Sequence, residues 1–334
     1  MTHKTDLVII GAGPAGLFSI FEAGMLKIKC HVVDTLEHIG GQCSALYPEK
    51  PIYDIPAHPK ILASELIDKL EEQAKPFSPT FHLNQRVDKI SKISNGFIVE
   101  TSKNEKIECS AIIIAAGCGA FGPNRPPLKN IEEYEGKSIF YSIKSKALFA
   151  DKKVVIAGGG DSAVDWAISL ADIAKKISLI HRRDKFRCAP ESADKLKQLA
   201  NDGKIDLIVP YQLDSIDGVN GNLNRVNVKN FDNSIMEIEA DYLLPFYGLS
   251  MELGPIADWG LNLHKNFIDV DVATMRTSIE GIYAIGDIAH YKNKLKLILN
   301  GFGEAAIACH DIYKIVFPDQ VFHFEYSTSK GIDK

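Results

Sequence analysis

The chain has 334 residues, 46% hydrophobic and 24% charged, with no low-complexity tract, which excludes a disordered chain and leaves room for about two domains at the usual size of ~150 residues each. With 43 acidic against 38 basic side chains and a formal charge of −5, it lacks the basic excess of a general nucleic-acid binder. No apolar run approaches the roughly 20 residues that cross a bilayer, no secretory pattern follows the amino terminus, and the six cysteines are scattered without metal-type pairing; a cytoplasmic protein with no membrane partner and no metal is expected.

The apolar run Leu7-Val-Ile-Ile10 leads into Gly11-Ala-Gly13-Pro-Ala-Gly16 and then into a helix-forming stretch ending near Met25. Strand, glycine turn and helix in that order predict a dinucleotide-binding unit. Gly11 permits the turn, Gly13 lets a pyrophosphate approach the backbone, and Gly16 lets helix pack on strand, while the helix N-terminus offers N–H groups to the phosphates. A lone glycine pattern also occurs in ordinary turns. Here a second apolar run, 28–33, ends in Asp34, 23 residues after Gly11, where a carboxylate can accept from a ribose hydroxyl.

A second unit opens at Lys153-Val-Val-Ile-Ala157, followed by Gly158-Gly-Gly160-Asp-Ser-Ala163, with Ala163 in the place of the third glycine. The same 23-residue count from Gly158 reaches His181, and Arg182, Arg183 and Arg187 follow it. The acid of the first unit has become a basic cluster. A charge run is most often a solvated face, but this one stands in register with the ribose-binding carboxylate. Guanidinium groups bind a 2′-phosphate by charge-assisted, bidentate hydrogen bonds where a carboxylate would repel it, so NADPH is expected at this loop.

Further along, Gly281-Ile-Tyr-Ala-Ile-Gly286-Asp287-Ile-Ala resembles the late FAD motif of the two-dinucleotide-domain flavoprotein reductases, whose aspartate lies near the ribityl chain. With Ala111-Ile-Ile-Ile-Ala-Ala-Gly117 closing the first segment, the resemblance implies an α/β protein of two Rossmann-like, three-layer nucleotide-binding domains. The FAD domain is discontinuous, 1–118 and 250–334 with a C-terminal extension, and the NADPH domain is inserted at 119–249. Connecting strands are expected near 118–121 and 243–249. The segment Asn300-Gly-Phe-Gly303-Glu-Ala-Ala reads as the start of a helix with its N-terminus toward the flavin.

The compact size and His181-Arg-Arg-Asp-Lys-Phe-Arg187 are similar to thioredoxin reductase, which carries a C-x-x-C pair shortly before its second glycine loop; here that stretch, Tyr141-Ser-Ile-Lys-Ser-Lys-Ala-Leu-Phe149, has no cysteine. The glutathione-reductase class places a C-x4-C pair beside the flavin, yet after Cys43 this chain has Pro48 at the second position. Neither dithiol relay can operate. Cys43 and Cys188 are read as inert small residues, although Arg187 beside Cys188 and the one-cysteine flavin oxidases keep a reactive thiol open.

The same shape without its cysteines, together with Gly41-Gln42-Cys-Ser-Ala-Leu-Tyr47-Pro and the tail Phe324-Glu-Tyr326-Ser-Thr328, resembles the ferredoxin–NADP reductases of the thioredoxin-reductase-like type. The resemblance spans nearly the whole chain. It implies a homodimer that passes hydride from NADPH to FAD and single electrons to an acidic ferredoxin or flavodoxin, with no catalytic side chain of its own. It carries Asp34, Gln42, Tyr47, Val87, Phe121, Asp287 and Thr328 into the FAD site, with Tyr47 on one flavin face and Tyr326 covering the other. Lys292, Lys294 and Lys296 form a small basic run that could dock the carrier or simply be a solvated edge. A peroxide-generating oxidase, a quinone reductase and a slow flavin redox sensor are the competing readings.

Overall fold

The structure is a computed structural model that describes residues 2–321, except for the side chains of Ala120, Phe121, Leu249, Ser250 and Met251. The chain divides into two compact units, one built from its residues up to 121 together with those from 251 onward, the other from 122–250.

In the first unit a five-stranded parallel sheet has the order Ile282–Ala284, Ala111–Ile114, Leu7–Ile10, Cys30–Val33, Thr80–His82. Its central strands are apolar throughout because both faces are covered. Strand alternation divides the side chains between two cores. Leu7, Ile9 and Ile113 join the core beneath helices Pro14–Met25, Ala63–Ala74 and Ile298–Val316, with Leu17, Ile20, Leu66 and Ile312. Val8, Ile10, Ile112 and Ile114 join the opposite core, with Phe97, Val99 and Ile107. Those last three come from a four-stranded sheet ordered Thr2–Lys4, Lys106–Cys109, Gly96–Thr101, Val87–Ile93. The result is helix, parallel sheet and second sheet in three layers. The central strand, flanked on both sides, ends at the Gly11 turn.

The second unit repeats the plan with a four-stranded parallel sheet ordered Ile205–Ile208, Lys176–Ile180, Lys153–Ala157, Tyr242–Pro245. Helices Asp161–Leu170 and Pro190–Asn201 accompany it. A three-stranded antiparallel sheet, Gln212–Val219, Asn222–Lys229 and Ile235–Glu239, supplies Leu223, Val226, Val228 and Ile238 to a core shared with Val155, Ile180 and Leu243.

The expected connecting strand at 243–249 is only partly one. Leu243 and Leu244 are fully buried and pair with Val155 and Ile156 as part of the parallel sheet. The chain leaves the unit later, through Leu249–Glu252, which pairs with Ala120–Pro123. No helix among the described residues is long and apolar enough to cross a membrane.

Candidate functional site

The first glycine loop has the conformation its residues require. Gly11 sits at φ +109°, and a Cβ there would fall 2.3 Å from the Ala115 carbonyl oxygen. At Gly16 a Cβ would fall 2.0 Å from the Gly11 carbonyl oxygen. Gly13 differs. Its φ of −73° and ψ of −178° suit any residue, and the nearest atom to an added Cβ is the Gly41 Cα at 4.0 Å. The fold does not need a glycine there; the room in front of it does. Gly13 is also the cap of helix Pro14–Met25, which has no side-chain cap, so its first N–H groups are left for a ligand.

Asp34 ends the neighbouring strand and is 9% exposed. Its carboxylate accepts from the Ala12 N–H at 2.6 Å and the Leu36 N–H at 2.8 Å, which fixes it beside the glycine turn. Burial lifts its pKa above the usual carboxylate range, against the lowering effect of those N–H groups. The loop opens onto a cleft lined entirely by the first unit. Gly11, Gly13, Asp34, Gln42, Tyr47, Val87 and Asp287 all line it, with Cys43, Gln85, Arg86 and Trp259. The structure therefore brings the predicted FAD residues together, Gly16 lying just beneath. Phe121's side chain, Tyr326 and Thr328 lie outside the described residues. An open backbone cradle, an uncapped helix end and a fixed carboxylate are the donor set a dinucleotide requires, and these residues fit one.

The far wall of the cleft depends on residues that the sequence reading missed. Glu304, 3% exposed, accepts from the Gly286 N–H at 2.7 Å and the Tyr291 hydroxyl at 2.7 Å, and it pairs with Lys294, whose side chain is 6% exposed. Gly301, one turn earlier, lets helix Ile298–Val316 approach the loop: a Cβ there would lie 3.1 Å from the Ala15 Cβ and 3.6 Å from the Gly286 Cα. Gly286, just before Asp287, is thus held between two helices, and the Asp287 pKa is raised by burial, against the pull of Lys296 and Lys294. This overturns the docking reading of the lysine run at its centre. Lys294 is an internal counter-ion, while Lys292 and Lys296 are exposed, Lys296 lying over the Phe267 ring at 3.8 Å. The available signal was an acid inside the small, apolar Gly-Phe-Gly-Glu-Ala-Ala stretch. Replacing Lys294 with Met strands a buried carboxylate, and we expect a stability loss of about 3 kcal/mol, read by denaturant melts of the purified protein; a change below ~1 kcal/mol would show the pair to be incidental.

All six cysteines are free. Cys43 is 1% exposed, lies 3.8 Å from the Tyr47 hydroxyl, and has its thiol pushed up to about 11 by burial. Gln42 donates to the Cys118 sulfur at 3.4 Å. At Cys188 burial raises the thiol pKa and Asp161 and Asp165 raise it further, so the activation by Arg187 that the sequence left open does not arise.

The second loop has its own reason for each small residue. A Cβ on Gly158, at φ +156°, would meet the Phe246 carbonyl oxygen at 2.6 Å and the Ala163 Cβ at 2.9 Å, so Ala163 already fills the space that a third glycine leaves empty. Gly159 is obligatory for a reason invisible in the motif: a Cβ there would fall 2.2 Å from the His181 ring. His181 is 8% exposed, and its Nε2 has no partner among the described residues. Burial lowers its pKa, against a backbone hydrogen bond at Lys185 and with a further push from the charges of Arg182, Arg187 and Arg183. The Arg187 N–H donates to the Gly159 carbonyl at 2.7 Å, which brings the cluster onto the loop beside Gly160. Arg182, Arg183 and Arg187 are all exposed. An unsatisfied buried imidazole nitrogen beside three exposed guanidinium groups fits an anionic, hydroxyl-bearing ligand.

Comparison with known proteins agrees with this chemistry. Residues 5–305 match the family model described as pyridine nucleotide-disulphide oxidoreductase. The chain is similar to a ferredoxin–NADP reductase of Rickettsia akari (strain Hartford), 60% identical over 98% of each chain. It is 57% identical to one of Rickettsia prowazekii (strain Madrid E), again over 98% of both. Among solved structures it is similar to thioredoxin reductase of T. acidophilum, with a TM-score of 0.82 and 25% identity over 93% of this chain and 98% of that one. Lactococcus lactis thioredoxin reductase gives a TM-score of 0.81 and 25% identity over 94% and 99%.

Proposed function

The chain belongs to the pyridine nucleotide-disulphide oxidoreductase family, and within it to the ferredoxin–NADP reductases, and from that premise we propose that it reduces a ferredoxin or flavodoxin one electron at a time at the expense of NADPH. It is an oxidoreductase that uses FAD and NADPH. FAD, when bound, supplies the link between the two chemistries, taking a hydride from the nicotinamide and releasing electrons singly. The observation that carries this choice over a disulfide substrate is the absence of a thiol pair: Pro48 follows Cys43 at the required spacing, Tyr141 to Phe149 contains no cysteine, and Cys43 is buried with a suppressed thiolate.

In this reading the protein binds, orients and excludes water. Asp34 would hold a ribose hydroxyl, Gly11, Gly13 and Gly16 with the following helix end would receive the pyrophosphate, and Gln42, Tyr47, Val87 and Asp287 would surround the rest of the flavin nucleotide. Phe121, Tyr326 and Thr328 would complete the site. Gly158, Gly160 and Ala163 would carry the NADPH pyrophosphate, and Arg182, Arg183 and Arg187 its 2′-phosphate, with His181 Nε2 taking a ribose hydroxyl. The carrier would be an acidic protein and the working form a cytoplasmic homodimer.

The test is steady-state NADPH oxidation with added ferredoxin and cytochrome c as reporter, against added thioredoxin with a disulfide reporter, each beside a control lacking partner. Stimulation by ferredoxin alone is expected; stimulation by thioredoxin, or equal NADPH loss without a partner, would overturn the reading. Cys43→Ser should keep turnover within about twofold, because a thiol with a pKa about 11 is almost wholly protonated at neutral pH and donates nothing to a buried step. The same shift predicts that iodoacetamide at pH 8 leaves Cys43 of the native protein unmodified by mass spectrometry; rapid alkylation there would contradict it.

A further inference from the structure

Outside the nucleotide sites, four chemistry-bearing residues from distant parts of the first unit meet at one sheet edge. His82 closes the edge strand Thr80–His82 of the parallel sheet, and His31 stands on the adjacent strand Cys30–Val33. His3 lies on Thr2–Lys4, the edge of the second sheet, opposite Ile107, and Glu105 immediately precedes the partner strand Lys106–Cys109. His82 Nδ1 lies 2.7 Å and His3 Nε2 3.7 Å from the same Glu105 oxygen. One ligand atom from each of these three residues falls within 4.8 Å of the others. On the far side of the His82 ring, Nε2 lies 3.0 Å from His31 Nδ1.

We propose that His3, His82 and Glu105 form a zinc-binding site, with His31 as a positioning residue behind His82. A tetrahedral ion with ligands about 2.05 Å away needs donor atoms about 3.3 Å apart; the two contacts at Glu105 lie on either side of that value, and the remaining pair, His3 and His82, lies within 4.8 Å. Two imidazoles and a carboxylate suit zinc and leave a fourth position for water. Zinc ligation through Nδ1 places the His82 proton on Nε2, where it donates to His31 Nδ1; a ligating histidine usually has such an outer hydrogen bond. His82 is 6% exposed, so its ring is already fixed by packing, whereas His3 and Glu105 are each 30% exposed and leave a path for the ion. The site would join the two sheets and brace the strand that carries the FAD-side carboxylate, since the Asp34 N–H donates to the His82 carbonyl at 3.1 Å. Residues at 3, 31, 82 and 105 have no sequence spacing that announces a metal site.

The experiment titrates chelator-treated, flavin-loaded protein with zinc sulfate alone, by calorimetry against a competing chelator, and then examines the zinc-loaded protein by X-ray absorption. One zinc per chain is expected, tighter than about 1 µM, with a nitrogen and oxygen shell at about 2.0–2.1 Å. His3→Gln and Glu105→Gln, both partly exposed, should each weaken binding at least about tenfold, and His31→Ala by about 10- to 100-fold, with the flavin spectrum retained. Absence of binding, equal affinity in His3→Gln, or a sulfur shell at about 2.3 Å, which would place the ion on the cysteines, would overturn the proposal. The absorption measurement on the unsubstituted protein decides the matter even if a variant fails to fold.

Discussion

Gly13→Ala is expected to leave the protein folded while removing its flavin. The backbone at Gly13 is extended, and an added Cβ meets nothing closer than 4.0 Å, so the cost to folding should stay within about 1 kcal/mol, the usual difference between glycine and alanine at a helix cap. The same methyl group occupies the space through which a pyrophosphate reaches the helix N–H groups. We expect FAD affinity to fall on the order of 100-fold, about 2.7 kcal/mol, read from flavin content after dialysis and from rebinding titrations. Gly16→Ala is the control with the opposite signature, because its Cβ would press to 2.0 Å on the Gly11 carbonyl and both folding and flavin should be lost. If Gly13→Ala keeps its flavin, the cleft does not receive the pyrophosphate at this loop.

The second large effect is expected at the basic cluster. Arg182→Ala with Arg187→Ala should raise the apparent KM for NADPH on the order of 100-fold or more, because each guanidinium group contributes a charge-assisted interaction of about 1.5–3 kcal/mol to a phosphate. The variant should then use NADH about as well as NADPH, and its kcat at saturation should change little, since the lost contacts are remote from the reacting carbon. The side chains are exposed, so folding should be unaffected. An unchanged KM would return the cluster to an ordinary solvated face.

Some of this was legible in the sequence because the relevant chemistry is local. A glycine turn between strand and helix, and a charge that changes sign at the same count from it, lie within about two dozen residues, and short-range stereochemistry makes each residue type necessary. Distant contacts hid the rest. Lys294 reads as a solvated lysine until helix Ile298–Val316 brings Glu304 to it inside the protein. Leu243 and Leu244 read as part of a connecting strand because a short apolar run does not say whether it will be covered on both faces. Gly159 looks like a middle residue free to vary, and only the His181 ring above it removes that freedom. The histidine and glutamate cluster is drawn from four segments and has no one-dimensional pattern at all.

Anaerobic titration of the purified flavoprotein with NADPH or dithionite, followed by flavin absorbance, tests the central claim most directly. A reductase without a redox-active thiol pair should take up about two electrons per flavin; uptake of about four would reveal a working dithiol and contradict the account.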